Sequence, residues 1–167
     1  MSEDLVEELL ESINLHRSFS KNTPHVVINA NKVLSSQVVE GLIIEPEELP
    51  DGVRAKLLVK KGYKIKQPVH LCFGMLPERG IQHIVLNVEI EDEAEVSFMA
   101  HCTFPNAVDI QHLMEATIKV GRNARYSYFE RHYHSDEGMI RVVPLAKIEL
   151  ADGARFSTEF ELLKGRV

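Results

Sequence analysis

The pattern of apolar and polar positions repeats along this chain with a period of thirty residues. Aligned, Val88–Phe98, Ile118–Tyr128 and Ile148–Thr158 read VEIEDEAEVSF, IKVGRNARYSY and IELADGARFST. Ala94, Ala124 and Ala154 share one phase, and Ser97, Ser127 and Ser157 share another. In each copy an alternating apolar strand closes at Ile90, Val120 or Leu150, and a polar corner follows at Glu91–Glu93, Gly121–Asn123 or Ala151–Gly153. Gly, Asn and Asp suit such corners because they tolerate the unusual backbone angles of tight turns. A small alanine and a second alternating run come next, and a looser connection such as Phe104–Asp109 or Ser135–Gly138 completes the unit. Strand, corner, strand and loop in one period fit either a coil of a flattened solenoid or a hairpin of a meander. Like side chains at like phase favour the solenoid, because parallel coils stack equivalent residues at roughly 4.8 Å. The pattern predicts a mainly β fold, a right-handed parallel β-helix with about thirty residues per coil.

Counted from the alanine, the even phase is apolar (Val96, Phe98, Ala100, Cys102; Tyr126, Tyr128; Phe156, Phe160, Leu162) and is expected to face the core. The odd phase, with Glu95, Ser97 and His101 in the first copy and Arg125, Ser127 and Arg131 in the second, is expected to face solvent or a neighbour. Ahead of the repeats, residues 2–17 predict an amphipathic helix: Leu5, Leu9 and Ile13 form one stripe and acids cover the other face. Solenoid ends need cover, so this helix is expected to cap the open end rather than dock on a partner. Ser18–Pro24 reads as a polar linker, so that residues 1–24 precede a core spanning 25–167. His25–Val39 carries short edge-strand alternations, Gly41–Glu48 reads as a strand closed by proline and acids, and Pro50–Gly52 as a turn. Leu57–Lys66 resembles a degenerate earlier copy, with Tyr63 31 residues before Ala94, and Pro68 breaks the pairing, so this coil is expected to be peripheral or bulged.

Composition narrows the class. Nineteen basic against 25 acidic residues give a net charge of −6, which argues against a nucleic-acid face. No apolar run approaches the roughly twenty residues that span a bilayer. The acidic N-terminus does not read as a signal or transit peptide. Two cysteines without a secretory signal point to a reducing compartment, and the reading is a cytoplasmic protein.

Few residues carry candidate chemistry. Cys72, Cys102 and His132 are spaced by thirty, and Glu130 and His134 share a strand face with His132. Stacked coils would bring Cys102 and His132 within reach of one metal ion, and thiolate, imidazole and carboxylate suit iron or zinc. Against this, free cysteine is commonly a buried structural residue, Cys102 continues an apolar face, and Cys72 falls on the opposite phase when counted from Tyr63. His132-Tyr133-His134 also invites comparison with a cupin metal site, which would make the chain a small metal-dependent enzyme of double-stranded β-helix type. A cupin, however, wants a glycine six residues before the first histidine and a glutamate four or five after the second. Here position 126 is Tyr126 and Glu137 comes three after His134, so two solvated histidines before a loop are the plainer expectation. No phosphate loop, nucleophile elbow or Cys-x-x-Cys pair is present.

The segments PVHLCFGMLPERGIQ (68–82), AHCTFPNA (100–107), ERHYHSDEGMIRVVPLAKIEL (130–150) and TEFELLKGRV (158–167) resemble the core of the SufB/SufD proteins, in particular their short single-domain archaeal and bacterial version. The likeness runs from about His25 to the end. It implies a right-handed parallel β-helix and a non-catalytic scaffold role in a Suf-type iron–sulfur cluster assembly system. Its implied partners are a SufC-like ATPase and a SufB/SufD-like subunit, and its implied cargo is a transient iron–sulfur cluster or iron. The likeness stops at Val167, where family members continue with further coils and a helical segment, so the SufC-docking surface is expected beyond that residue. No family site maps onto this chain, and Cys102, Glu130, His132 and His134 are candidates from spacing alone. The last strand, near Phe156–Leu163, is expected to leave unpaired backbone groups, which implies either self-association through that edge or a truncated product.

Overall fold

A computed structural model of the chain describes residues 2–13, 22–136 and 138–165. Strands β6 (Arg79–Ile90), β8 (Asp109–Val120) and β10 (Met139–Leu150) run parallel at a constant offset of thirty, Arg79 beside Asp109 and Asp109 beside Met139. Strands β7 (Glu95–Phe104), β9 (Arg125–His134) and β11 (Arg155–Lys164) do the same on the facing wall, where Ser97, Ser127 and Ser157 lie abreast. This is the stacking that the repeat predicts, a parallel β-solenoid. Its parallel ladders differ from the antiparallel double-stranded β-helix of cupins, so the cupin-like architecture is set aside.

The corners explain the repeat. Strands β6, β8 and β10 end at Ile90, Val120 and Leu150, and the third corner residue of each copy takes a left-handed backbone, with φ of 62° at Glu93, 54° at Asn123 and 71° at Gly153. The following alanine N–H closes each turn, Ala94 onto the Glu91 carbonyl at 3.1 Å and Ala124 onto that of Gly121 at 3.2 Å. Ala94 and Ala124 are fully buried, which is why the position stays small. Corners also tie to one another: Arg122 N–H donates to Asp92 and the Asn123 amide to Glu93.

Earlier strands complete the two walls. Among the described residues one sheet has the order β11-β9-β7-β5-β1-β2, with β5 (Val69–Gly74), β1 (His25–Asn29) and β2 (Lys32–Gln37). The other has the order β10-β8-β6-β4-β3, with β4 (Gly52–Val59) and β3 (Leu42–Leu49). The outermost strands β2 and β3 pair antiparallel with β1 and β4, so hairpins finish this end of the solenoid. Strand β3 passes through Pro46 to Leu49 instead of closing at the proline, as an edge strand can. The register offset falls from 31 at Lys64–Glu95 to 29 at Val69–Phe98, so the bulge expected at Pro68 absorbs two residues.

Helix α1 (Ser2–Ser12) does not cap an end. Leu9, Leu10 and Ile13 pack against Val27 and Cys72 on the outer face of the β1/β5 wall. Leu9 lies on the bare backbone of Gly74, where a Cβ would come within 2.2 Å of it. The Ser12 hydroxyl meets that of Thr103 at 3.0 Å. The apolar outward positions Val27 and Cys72 demand cover that the hairpin end does not. The helix predicted to reach residue 17 ends at Ser12, and residues 14–21, which include most of the predicted linker, lie outside the described residues. No helix of the described residues is long and apolar enough to cross a membrane.

Candidate metal centre

The inward rows of the β7/β9 wall decide which side chains meet in the lumen. Phe73, Cys102, His132 and Leu162 form one row across β5, β7, β9 and β11. Alternation puts Tyr128, Glu130, His132 and His134 on the same face of β9. The structure therefore brings Cys102, Glu130 and His132 together: one ligand atom from each lies within 4.8 Å of the others, and all three are buried. Donor atoms around a tetrahedral zinc-type ion stand roughly 3.3–3.8 Å apart, so small side-chain rotations would close this set. Thiolate, imidazole and carboxylate also suit ferrous or zinc ions by donor type.

Hydrogen bonds order the group. His132 Nε2 donates to Glu130 Oε1 at 2.5 Å, and Tyr128 Oη donates to Glu130 Oε2 at 2.7 Å. Since an ionised carboxylate only accepts, His132 carries its proton on Nε2 and, when neutral, accepts at Nδ1 from His134 Nε2, 3.1 Å away. A metal bound here would displace the proton between His132 and Glu130. Burial lifts the Cys102 thiol well above its ordinary range, reinforced by the Glu130 charge, and likewise lifts Tyr128. A coordinated cation reverses that preference for the thiol, because thiolate is the ligating form. A cavity of about 190 Å³, lined by Met114, Tyr126, Tyr128, Glu130, Ile148 and Phe156 among others, leads from this group towards the last coil.

Each residue proposed from spacing has a definite place. His134 reaches His132 but lies outside the close Cys102–Glu130–His132 set. His132 and His134 are buried and point into the lumen, which corrects the expectation that they are solvated. Cys72 stands beside His101 in register, faces helix α1 instead of the lumen, and is no neighbour of His132 in the ladder. A coil of 29 residues, not thirty, shifts its phase, and burial pushes its thiol up to about 12.

Two groups escaped the sequence reading. His112 of β8 is fully buried on the opposite wall, its ring 6.0 Å from that of His132. The signal was present: in Ile110, His112, Met114, Ile118 and Val120 a histidine occupies the apolar phase of a strand. His101, on the phase expected to face solvent or a neighbour, is buried on the outer face against a neighbour, stacking on His70 with His70 Nδ1 3.2 Å from His101 Nε2.

Two curated proteins are similar to this chain over most of its length. An iron–sulfur cluster assembly SufBD family protein of Methanocaldococcus jannaschii is 37% identical over 169 aligned positions, covering 96% of this chain and 54% of the relative. Another, from Pyrococcus horikoshii, is 35% identical over 148 positions, 89% of this chain and 45% of the relative. Over the stretch it spans, the chain is similar to proteins named for the SufBD family. It spans about half the length of the curated relatives it matches. No protein-family model matches it. In this solenoid, the titratable side chains of the lumen gather on coils β7–β9, with apolar rows to either side.

Proposed function

We propose that the chain is the solenoid part of a non-catalytic scaffold subunit for iron–sulfur cluster assembly in the cytoplasm, and that Cys102, Glu130 and His132 receive iron or a nascent cluster as cargo. The observation that carries the second half is the convergence of these three buried ligand types inside the lumen. The names of the two relatives support the first half. His134 holds His132 in place through their hydrogen bond, and the cavity beside Glu130 leaves room for cargo at the site. A SufC-like ATPase and a SufB/SufD-like subunit are its partners, the ATPase docking on sequence beyond Val167. A second copy can also cover the exposed last coil.

Anaerobic reconstitution with ferrous iron and sulfide tests the cargo site. The unaltered protein retains iron with sulfide-dependent visible absorption through desalting, whereas Cys102→Ala and His132→Ala lose at least tenfold of it. Equal retention by all three proteins removes the lumen from the assignment. Capture on an immobilised SufC-type ATPase tests the partner. A longer family chain should bind strongly and this one weakly, and strong binding by this chain would place the docking surface within residues 1–167.

A further inference from the structure

We propose that His112 is the fourth protein ligand of the Cys102–Glu130–His132 centre, reaching across the lumen to hold a single divalent first-row transition ion between the two walls. The inference rests on the cargo reading above and adds to it a residue, a coordination number and a mechanical consequence. His112 is fully buried, and neither ring nitrogen meets a hydrogen-bond partner among the described residues. Leaving a buried polar group unsatisfied costs about 1–3 kcal/mol, so such a residue calls for a physical reason. Nothing in the packing supplies one. Phe104 and Phe73 approach the ring at 5.0 and 6.5 Å between centroids, contacts that an apolar side chain would make as well.

The position of the ring supplies the reason. Cys102 comes from β7, and Glu130 and His132 come from β9, so all three donors project from one wall. A tetrahedral ion bound to them has its remaining site directed across the lumen, and His112 projects from the facing wall. Its ring centroid stands 6.0 Å from that of His132. Two imidazoles on one tetrahedral ion place their centroids about 5 Å apart; His112 stands outside the close donor set, so side-chain rotation on metal binding closes the remaining gap. Charge also balances: one thiolate, one carboxylate and two neutral imidazoles neutralise a dication, as a fully buried site requires. With His132 ligating through Nε2, its Nδ1 carries the proton and donates to His134, the outer-sphere arrangement that orients metal-bound histidines. His134 is then a positioning residue and His112 a ligand.

Cobalt(II) titration of the full chain tests this, with Cys102→Ser and His112→Leu as variants. In the unaltered protein one equivalent of cobalt should give tetrahedral ligand-field bands and a thiolate-to-cobalt charge-transfer band. Cys102→Ser should lose the charge-transfer band. His112→Leu should keep that band but bind at least tenfold more weakly, with weaker ligand-field bands as water replaces the imidazole. Without metal, His112→Leu should melt at or above the unaltered protein, because it removes an unsatisfied buried group. Bound metal should slow amide exchange along β8 in the unaltered protein and leave it unchanged in His112→Leu. Equal affinity and identical bands in His112→Leu would overturn the role of His112 while leaving the three-residue centre standing. Absence of a thiolate-to-cobalt band in the unaltered protein would remove the centre itself, and His112 with it.

Discussion

Glu130 shows how much a single buried side chain can organise. Both of its oxygens accept hydrogen bonds, one from His132 and one from Tyr128. Tyr128→Phe deletes one donor and leaves a buried carboxylate oxygen short of a partner. Urea unfolding of the metal-free variant should show a loss of about 1–3 kcal/mol, and unchanged stability would mean that the Tyr128 hydroxyl does not hold Glu130. On the outer face, His70 stacks against His101 with His25 nearby on β1 and Arg131 beside His101 on β9. Burial and then the His25 charge hold the His70 imidazole below its ordinary 6.5. The unfolded chain therefore takes up this proton first. The stability that His70 contributes is complete above about pH 6.5 and falls away as pH drops towards its folded value. Denaturant midpoints measured from pH 7.5 down to 5 should decline for the unaltered protein and decline less for His70→Asn. Parallel curves for the two would show that His70 is not the sensor.

At the scale of elements, the corners were the most legible feature of the sequence and make the sharpest stability test. Ile90, Val120 and Leu150 end their strands where the alternation breaks, and equivalent residues fall abreast because the coils have equal length. Glu93 and Gly153 occupy the same left-handed corner position in different coils. The two should respond oppositely to exchange. Glu93→Gly relieves a side chain at φ 62° and is expected to stabilise by about 0.5–1 kcal/mol, offset in part by loss of the Asn123 contact. Gly153→Ala introduces a Cβ at φ 71° that meets Asn123 Oδ1 at 2.2 Å, and is expected to destabilise by at least about 1 kcal/mol. Urea midpoints of the same sign for both would show that corner backbone strain does not govern them. What the repeat did not reveal were departures from equal length and contacts between walls. Cys72 changed face because its coil has 29 residues, and α1 went to the side because Val27 and Cys72 are apolar on an outward phase. The Cys102–His132 row was readable because ladder neighbours are a sequence property of a solenoid. His112 was not, since no period states which residues of facing walls point at each other.

For the molecule as a whole, the two ends are built differently. The hairpin end terminates in short or charged edges, with Pro46 in β3 and ion pairs Lys32–Glu48 and Arg54–Glu47 around it, devices that discourage strand addition. The β10/β11 end also carries a proline, Pro144, and the ion pairs Lys147–Glu149 and Arg131–Glu161, but it leaves large apolar side chains uncovered. Leu145 is 66% exposed and Phe160 60%, although both lie in strands that continue the stack. Phe160 lies abreast of Glu130 on the lumen face and Leu145 abreast of Glu115 on the outer face, so the last coil leaves both an inner and an outer apolar position open to another surface. The proposed second copy covers these positions by setting its own last coil against this one, a contact of like patches that closes as a two-fold pair. Light scattering over a tenfold concentration range should therefore give a mass above that of one chain for the unaltered protein. Leu145→Lys with Phe160→Lys should return it to one chain, without loss of the thermal transition, since both side chains are exposed in the single copy. A single-chain mass for the unaltered protein at every concentration would show that a like patch does not cover this end.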